Sequence, residues 1–431
     1  MEKLRKYLGF ALGPIAAAAL GLVTVPLAAW IFSPADIGRL NVWQIALSFA
    51  LLLSVLGLDQ AYVREYHEST NRPQLLRACF LPGFLLLSFL GFVSVFFSAP
   101  LAQLLYDDAN PWWFWATLMG VLLAYVARFL SLILRMQERG LAYSTSQVLP
   151  KILLLLLMLA IAFATFTKTF SHLILITLAA SLLVVAVYAW NTKSDWLAAI
   201  TSAKIAPLEL RKLLAFGSPL VVSGLAYWGL SATSTIVLRT WSSLDELAVY
   251  SVANSFAGAA VVLQAIFSIV WAPTVYKWNA QGVDMRVVDK IAKQMLAAVC
   301  ALFAVCAGLA WVLDYVLPSH YVGVKSLLLC MLIQPLLYTL SEVTGVGIGL
   351  ERRTNLMIGV TVLALSVNVG LNYTLVPHMG ATGAAISNAI AFTVFFIAKT
   401  EASAQVWRNF PRAYLYLSAL TLTGAAALAA L

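Results

Sequence analysis

Apolar runs of about 20 residues or more recur along the whole chain, and a helix of that length crosses the hydrocarbon of a bilayer. The runs fall at 8–32, 38–62, 78–104, 111–134, 141–166, 170–190, 212–240, 247–276, 288–317, 323–349, 355–376 and 381–400, with a further run at 413–431. Inside hydrocarbon every backbone N–H and C=O must be satisfied by its own segment, so each run predicts a helix. Composition agrees. The chain is 62% hydrophobic and 10% charged, with a mean hydropathy of +0.90, whereas a soluble surface of this size needs far more charge. The expected fold is an all-α polytopic membrane protein.

Lysine and arginine set the expected orientation, because short loops on the cytoplasmic side carry them in excess. Lys3, Arg5 and Lys6 precede the first run; Arg64, Arg72 and Arg77 follow the second; Arg135 and Arg139 follow the fourth. The same side holds Lys193, Arg211, Lys212, Lys277, Arg286, Arg352, Arg353, Lys399, Arg408 and Arg412, whereas the alternate loops offer only Arg39, Lys168, Arg239 and Lys325. The N-terminus is therefore expected in the cytoplasm, its basic start leading an uncleaved first span. The net charge of +9 is spread over loops and does not point to nucleic acid.

Several function classes lose ground at once. No loop is long enough for a catalytic fold or a nucleotide-binding domain, and no GxxxxGK[ST] phosphate loop occurs, which argues against direct ATP-driven pumping. Cys79, Cys300, Cys306 and Cys330 lie in apolar runs without CxxC spacing and read as free thiols. The histidines are scattered, so no metal site or cofactor is expected.

The halves of the chain look related. Leu4-Arg5-Lys6 before Phe10 recurs as Leu210-Arg211-Lys212 before Phe216; Pro14 meets Pro219; Ser33 and Asp36 meet Ser242 and Asp245; Glu138-Arg139 meets Glu351-Arg352. Six spans separate the members of each pair, which predicts a parallel repeat. The expected architecture is a six-helix lobe over 1–203, a second over 204–403, and an additional membrane segment over 404–431. Two such lobes facing each other enclose a central cavity.

Ionisable residues at membrane depth are costly and point to a cavity or a partner. Asp59 and Arg64 lie near one end of the second span, Arg128 lies inside the fourth, and Lys151 lies about 15 Å along the fifth, near the midplane. Ser144, Gln147 and Lys151 share one helical face. Further polar stripes run through Ser223, Tyr227, Ser231 and Ser234; through Gln334, Tyr338, Ser341 and Glu342; and through Thr361, Asn368 and Asn372. Hydrogen bonding between helices accounts equally well for the neutral members of these stripes. Asp59 and Glu342 read as gating or structural ion-pair residues. Tyr227, Gln334, Tyr338, Asn368 and Asn372 read as polar cavity lining. Glu342 is expected to pair with Arg128 or Arg64 in one state of the transport cycle.

Three stretches resemble a known family: GLDQAYVREY at 57–66, LRMQERGLAY at 134–143, and NVGLNYTLVPHMGATGAAIS at 368–387. Taken together they resemble the polysaccharide-type lipid flippases of the multidrug/oligosaccharidyl-lipid/polysaccharide exporter superfamily, the O-unit flippases among them. The resemblance implies movement of an oligosaccharide on undecaprenyl pyrophosphate between leaflets of the bacterial inner membrane by alternating access, driven by an ion gradient or the membrane potential. It also implies association with a polysaccharide polymerase and chain-length machinery. Members commonly have twelve or fourteen spans, against the thirteen runs counted here. On this reading Lys151, Arg128, Arg64, Gln147 and Ser144 bind pyrophosphate and sugar, since Lys and Arg replace part of a phosphate's hydration. A multidrug antiporter, a peptidoglycan-precursor flippase and, from another class, a membrane glycan polymerase or ligase are the alternatives.

Overall fold

The computed structural model describes residues 2–137, 140–165, 167–202, 207–351, 353 and 355–431; the side chains at 2–12, 14, 140–144, 207–208, 262–263, 265–266, 269–270, 272–273 and 280 lie outside that description. Among the described residues all regular structure is helical. The first half comprises α1 (Glu2–Ile31), α2 (Pro34–Val55), α3 (Leu58–Glu65), α4 (Arg72–Val95), α5 (Ser98–Tyr106), α6 (Pro111–Met136), α7 (Gly140–Ala162), α8 (Phe170–Asn191) and α9 (Lys193–Thr201). The second half comprises α10 (Pro207–Trp241), α11 (Leu244–Ala280), α12 (Val287–Leu309), α13 (Leu313–Val316), α14 (Gly323–Thr344), α15 (Val346–Leu350), α16 (Asn355–Val406) and α17 (Ala413–Ala430).

Among the described residues every expected span is largely helical, with breaks such as that at 96–97 between α4 and α5. Among the described residues 10 helices are long and apolar enough to cross a membrane, and many present large apolar side chains outward. On α4, Phe89 and Phe92 are exposed. Such continuous apolar exposure is tolerated in lipid, not in water. The chain is a multi-pass membrane protein. The element that sequence missed is α9, between the expected spans 170–190 and 212–240. Trp196 on it donates its indole N–H to the Ala189 carbonyl at 2.9 Å.

Local signals explain where helices begin and break. Asn71 and Asn110 cap α4 and α6, accepting from Gln74 N at 3.1 Å and Trp112 N at 3.0 Å, and a proline follows each cap, where its missing N–H costs nothing. Expected span 38–62 is split at Leu56 and Gly57, both with positive φ. A Cβ on Gly57 would lie 2.4 Å from the Gly217 carbonyl oxygen, so this turn requires glycine both for its φ and for its contact with α10. Expected spans 355–376 and 381–400 are two helices that meet at Gly380, whose φ of 52° and ψ of −129° are non-helical, so α16 is a pair of helices joined there. There Glu246 of α11 accepts from Ala381 N at 2.7 Å, supplying a negative charge where the helix restarts.

The chain divides into two compact units, residues 1–24 with 39–225 and residues 25–38 with 226–431. In the first, α6 packs on α5, α7 and α8, and α4 packs on α3, α6 and α9. Its core gathers Tyr62, Tyr66, Cys79, Tyr125, Phe129 and Ile133. In the second, α14 is the central pillar, packed on α11, α12, α16 and α17.

The structure shifts one member of the expected repeat. Ser33 precedes α2 and accepts from Asp36 N at 3.2 Å. Its equivalent before α11 is Ser243, which accepts from Glu246 N at 3.1 Å. The pairing is therefore Ser33 and Asp36 with Ser243 and Glu246, one residue later than Ser242 and Asp245, because the helix cap rather than residue identity fixes the register. Arg139 and Arg352 lie outside the described residues, as do the side chains of Leu4, Arg5, Lys6 and Pro14.

Candidate functional site

The first unit holds an ion pair at membrane depth. The break at Leu56-Gly57 starts α3 at a new angle and puts Asp59 in its first turn, where the helix N-terminus favours an acid. Its Oδ1 accepts from Gln60 N at 2.8 Å and its Oδ2 from the Gln60 amide at 3.1 Å. Arg128, near the middle of α6, donates to Asp59 Oδ2 from Nε at 3.1 Å and from Nη2 at 2.5 Å. The Asp59 side chain is 9% exposed and that of Arg128 is 41% exposed. The acid is buried and the guanidinium is held by one edge only.

Two cavities flank that guanidinium. One of about 350 Å³ is lined by Gly57, Asp59, Gln60, Arg128, Leu220 and others from α2 and α10. Another of about 270 Å³ is lined by Arg128, Ser131, Ser146, Gln147, Pro150, Ser181 and Tyr188 among others. Arg128 and Gln147 are thus brought together as expected. Lys151, one turn beyond Gln147 on α7, is exposed but is not part of that lining. Among the described residues it makes no ion pair or hydrogen bond. The side chain of Ser144 lies outside the described residues.

Arg64 goes elsewhere. It sits at the other end of α3, its side chain 59% exposed and 3.6 Å from Glu65, with its guanidinium 4.6 Å from the centre of the Phe216 ring. There it lines a third, polar cavity of about 510 Å³ with Glu65, Glu68, Asn71, Gln74, Glu209 and Lys212.

In the second unit Glu342 has a partner within that unit. It is Lys399, whose Nζ lies 2.5 Å from Glu342 Oε1 and 3.3 Å from Ser341 Oγ. The Lys399 side chain is 5% exposed and that of Glu342 24%. The ammonium also lies 5.2 Å from the Tyr338 ring centre and 5.6 Å from that of Phe395, so two aromatic faces help replace its water. Sequence reasoning placed Lys399 in a loop because the apolar run ends beside it. The available signal was its helical spacing from Phe392, Phe395 and Phe396, which continues the buried face of α16.

The remaining polar stripes take part in contacts between and within helices. Tyr227 and Tyr338 meet edge to face with ring centres 5.9 Å apart. Gln334 accepts from Asn388 at 3.0 Å. Asn368 and Asn372, expected as cavity lining, are fully buried. Asn368 donates to the Leu230 carbonyl at 2.8 Å, and Asn372 donates to the Asn368 carbonyl at 2.8 Å and to its side chain at 2.6 Å. Asn368 thus ties α16 to α10, while Asn372 bonds back to Asn368 within α16, as buried amides in apolar helices seek partners on their own or neighbouring helices.

The sequence matches the family model described as "Polysaccharide biosynthesis protein" over residues 4–278. No curated protein matches it. The fold is shared with solved membrane transporters. The lipid II flippase MurJ in an inward closed conformation superposes with a TM-score of 0.71 at 13% identity, covering 97% of this chain and 90% of that one. The MATE multidrug transporter DinF-BH gives 0.60 at 13% identity, covering 93% and 94%. An outward-facing multidrug resistance MATE family transporter of the MOP superfamily gives 0.55 at 14% identity, covering 93% and 96%.

Proposed function

Because this chain belongs to the polysaccharide biosynthesis protein family, we propose that it is a flippase carrying an oligosaccharide on undecaprenyl pyrophosphate from the cytoplasmic to the periplasmic leaflet of the inner membrane. The observation that carries this reading is Arg128, anchored to Asp59 by one edge and open to cavities on both sides. A pyrophosphate is a compact multiple anion, and a guanidinium pairs with phosphate oxygens through parallel N–H donors. Asp59 occupies Nε and Nη2 and leaves Nη1 for a ligand. Binding therefore competes with Asp59 for one cation, which suits a substrate that must later leave. Lys151, exposed and unpaired among the described residues, adds a mobile positive charge one helical turn from Gln147.

The loop lysines and arginines orient the protein with its N-terminus in the cytoplasm under this reading. Drive by an ion gradient or the membrane potential completes the cycle. The test is display of surface glycan in a flippase-deficient strain, with protein abundance measured in the same cells. Arg128→Ala and Lys151→Ala should abolish display at near-normal abundance, and Lys151→Arg should retain part of it. Normal display with Lys151→Ala at normal abundance would remove Lys151 from the substrate path. A peptidoglycan-precursor flippase uses the same pyrophosphate chemistry, and rescue of a strain lacking that activity instead would establish that alternative.

A further inference from the structure

The polar cavity beside Arg64 differs from the pair around Arg128. Its volume of about 510 Å³ falls in the range of small-molecule sites, roughly 300–1,000 Å³. Three acids, Glu65, Glu68 and Glu209, face two cations, Arg64 and Lys212. A pyrophosphate entering here would meet net like charge. The charge of Arg64 is already committed, with Glu65 at 3.6 Å and the Phe216 face at 4.6 Å. Carboxylates accept, Arg and Lys donate, and the amides of Asn71 and Gln74 belong to a type that does both. That mixture suits a ligand that presents many hydroxyl groups and no strong charge.

A second cavity of similar size in the same unit supplies the contrast. It measures about 500 Å³ and is lined by Phe80, Phe84, Phe129, Ile133 and Trp196, among others. Hydrocarbon would fill it and sugar would not. Placement completes the argument. The short helix α3 carries Asp59, which holds Arg128, at its start and Arg64 and Glu65 at its end. Five residues of helix rise separate Asp59 from Arg64, roughly 8 Å at 1.5 Å per residue. A sugar joined directly to a pyrophosphate spans about that distance.

We propose that this cavity is the glycan subsite: the hydroxyl-rich sugar next to the pyrophosphate lodges among Glu65, Glu68, Gln74 and Glu209 while the pyrophosphate engages Arg128. This rests on the flippase reading and adds where sugar identity is sensed. Glu68 and Glu209 are exposed, so their replacement leaves the fold intact.

The experiment compares two synthetic ligands on the full chain in lipid nanodiscs: undecaprenyl pyrophosphate, and the same lipid bearing one N-acetylhexosamine. The wild type should bind the glycosylated lipid about tenfold more tightly, the equivalent of one or two net hydrogen bonds. Glu68→Ala with Glu209→Ala should erase that difference and leave the affinity for the bare lipid unchanged. Arg128→Ala should weaken both ligands alike. A wild type that does not discriminate, or a difference that survives the double substitution, overturns the glycan subsite and leaves the flippase reading standing. A wild type that binds neither lipid overturns both.

Discussion

Among the described residues each of the two units contains an ion pair inside an apolar run, Asp59 with Arg128 and Glu342 with Lys399, and the two are built differently. Asp59 and Arg128 sit at the edge of two cavities, with the guanidinium 41% exposed. Glu342 and Lys399 sit in packed protein, with the lysine 5% exposed and two aromatic rings against its ammonium. In sequence Asp59, Arg128 and Glu342 stand out as costly charges in apolar runs, whereas Lys399 reads as a loop cation. Exposure separates the two pairs. A charge that keeps some access to water can change partners, whereas a desolvated one is held where it is, because losing its counter-ion leaves it without compensation. Under the proposed function the first pair serves ligand exchange, whereas the second joins α14 to α16.

The largest effect should come from breaking the buried pair. Glu342→Ala leaves Lys399 without its carboxylate and should cost about 3–5 kcal/mol, seen as lost folded yield and a lower thermal midpoint in detergent. Pairing Glu342→Gln with Lys399→Met should recover most of it. Failure of that rescue would mean the pair does more than join helices.

Gly345→Ala comes next. A Cβ there would lie 2.5 Å from Lys399 Cε, so the lysine stem must move, at a cost of about 1–3 kcal/mol. The thermal midpoint should fall, and by less in a Lys399→Met background.

Asp59→Asn should cost on the order of 1 kcal/mol at most, as expected for a pair that water reaches. It should also raise affinity for undecaprenyl pyrophosphate several-fold by freeing Arg128, while slowing transport. A stability loss as large as that of Glu342→Ala would erase the distinction between the two pairs.

The smallest effect lies outside the membrane, at Asp108. The Trp113 indole N–H, 2.9 Å away, followed by the Asn110 backbone N–H, holds its carboxyl below the ordinary value of 3.8. A depressed carboxylate contributes stability above its unfolded value and loses it as pH falls through the folded one. Asp108→Asn should therefore lower the thermal midpoint slightly at pH 6, and the difference from wild type should shrink steadily as pH drops below 3.8.

Of the candidate site, sequence identified the expensive residues but not their partners. Asp59, Arg128 and Glu342 stand out because ionisable groups are rare in apolar runs. That Arg128 takes Asp59 depends on the positive φ of Leu56 and Gly57, which redirects α3. That Glu342 takes Lys399 depends on α16 packing against α14, which brings the Lys399 ammonium to the Glu342 carboxylate. Asn368 and Asn372 show the opposite error. A polar stripe repeats at the same helical spacing whether it faces a cavity or a neighbouring helix, and here it faces α10.

The sequence by itself determined the helices. A long apolar run must satisfy its own backbone inside lipid, so among the described residues each of the thirteen runs is largely helical, and the asparagine and serine caps mark several helix starts. Only the tertiary structure decided which charges remain open to a ligand. Burial and pairing depend on what lies across the gap from a side chain, and linear spacing along one helix carries no information about its neighbour. Arg128 and Lys399 are both cations on apolar helices, and only the surroundings leave one open to its cavities and close the other inside a packed interface.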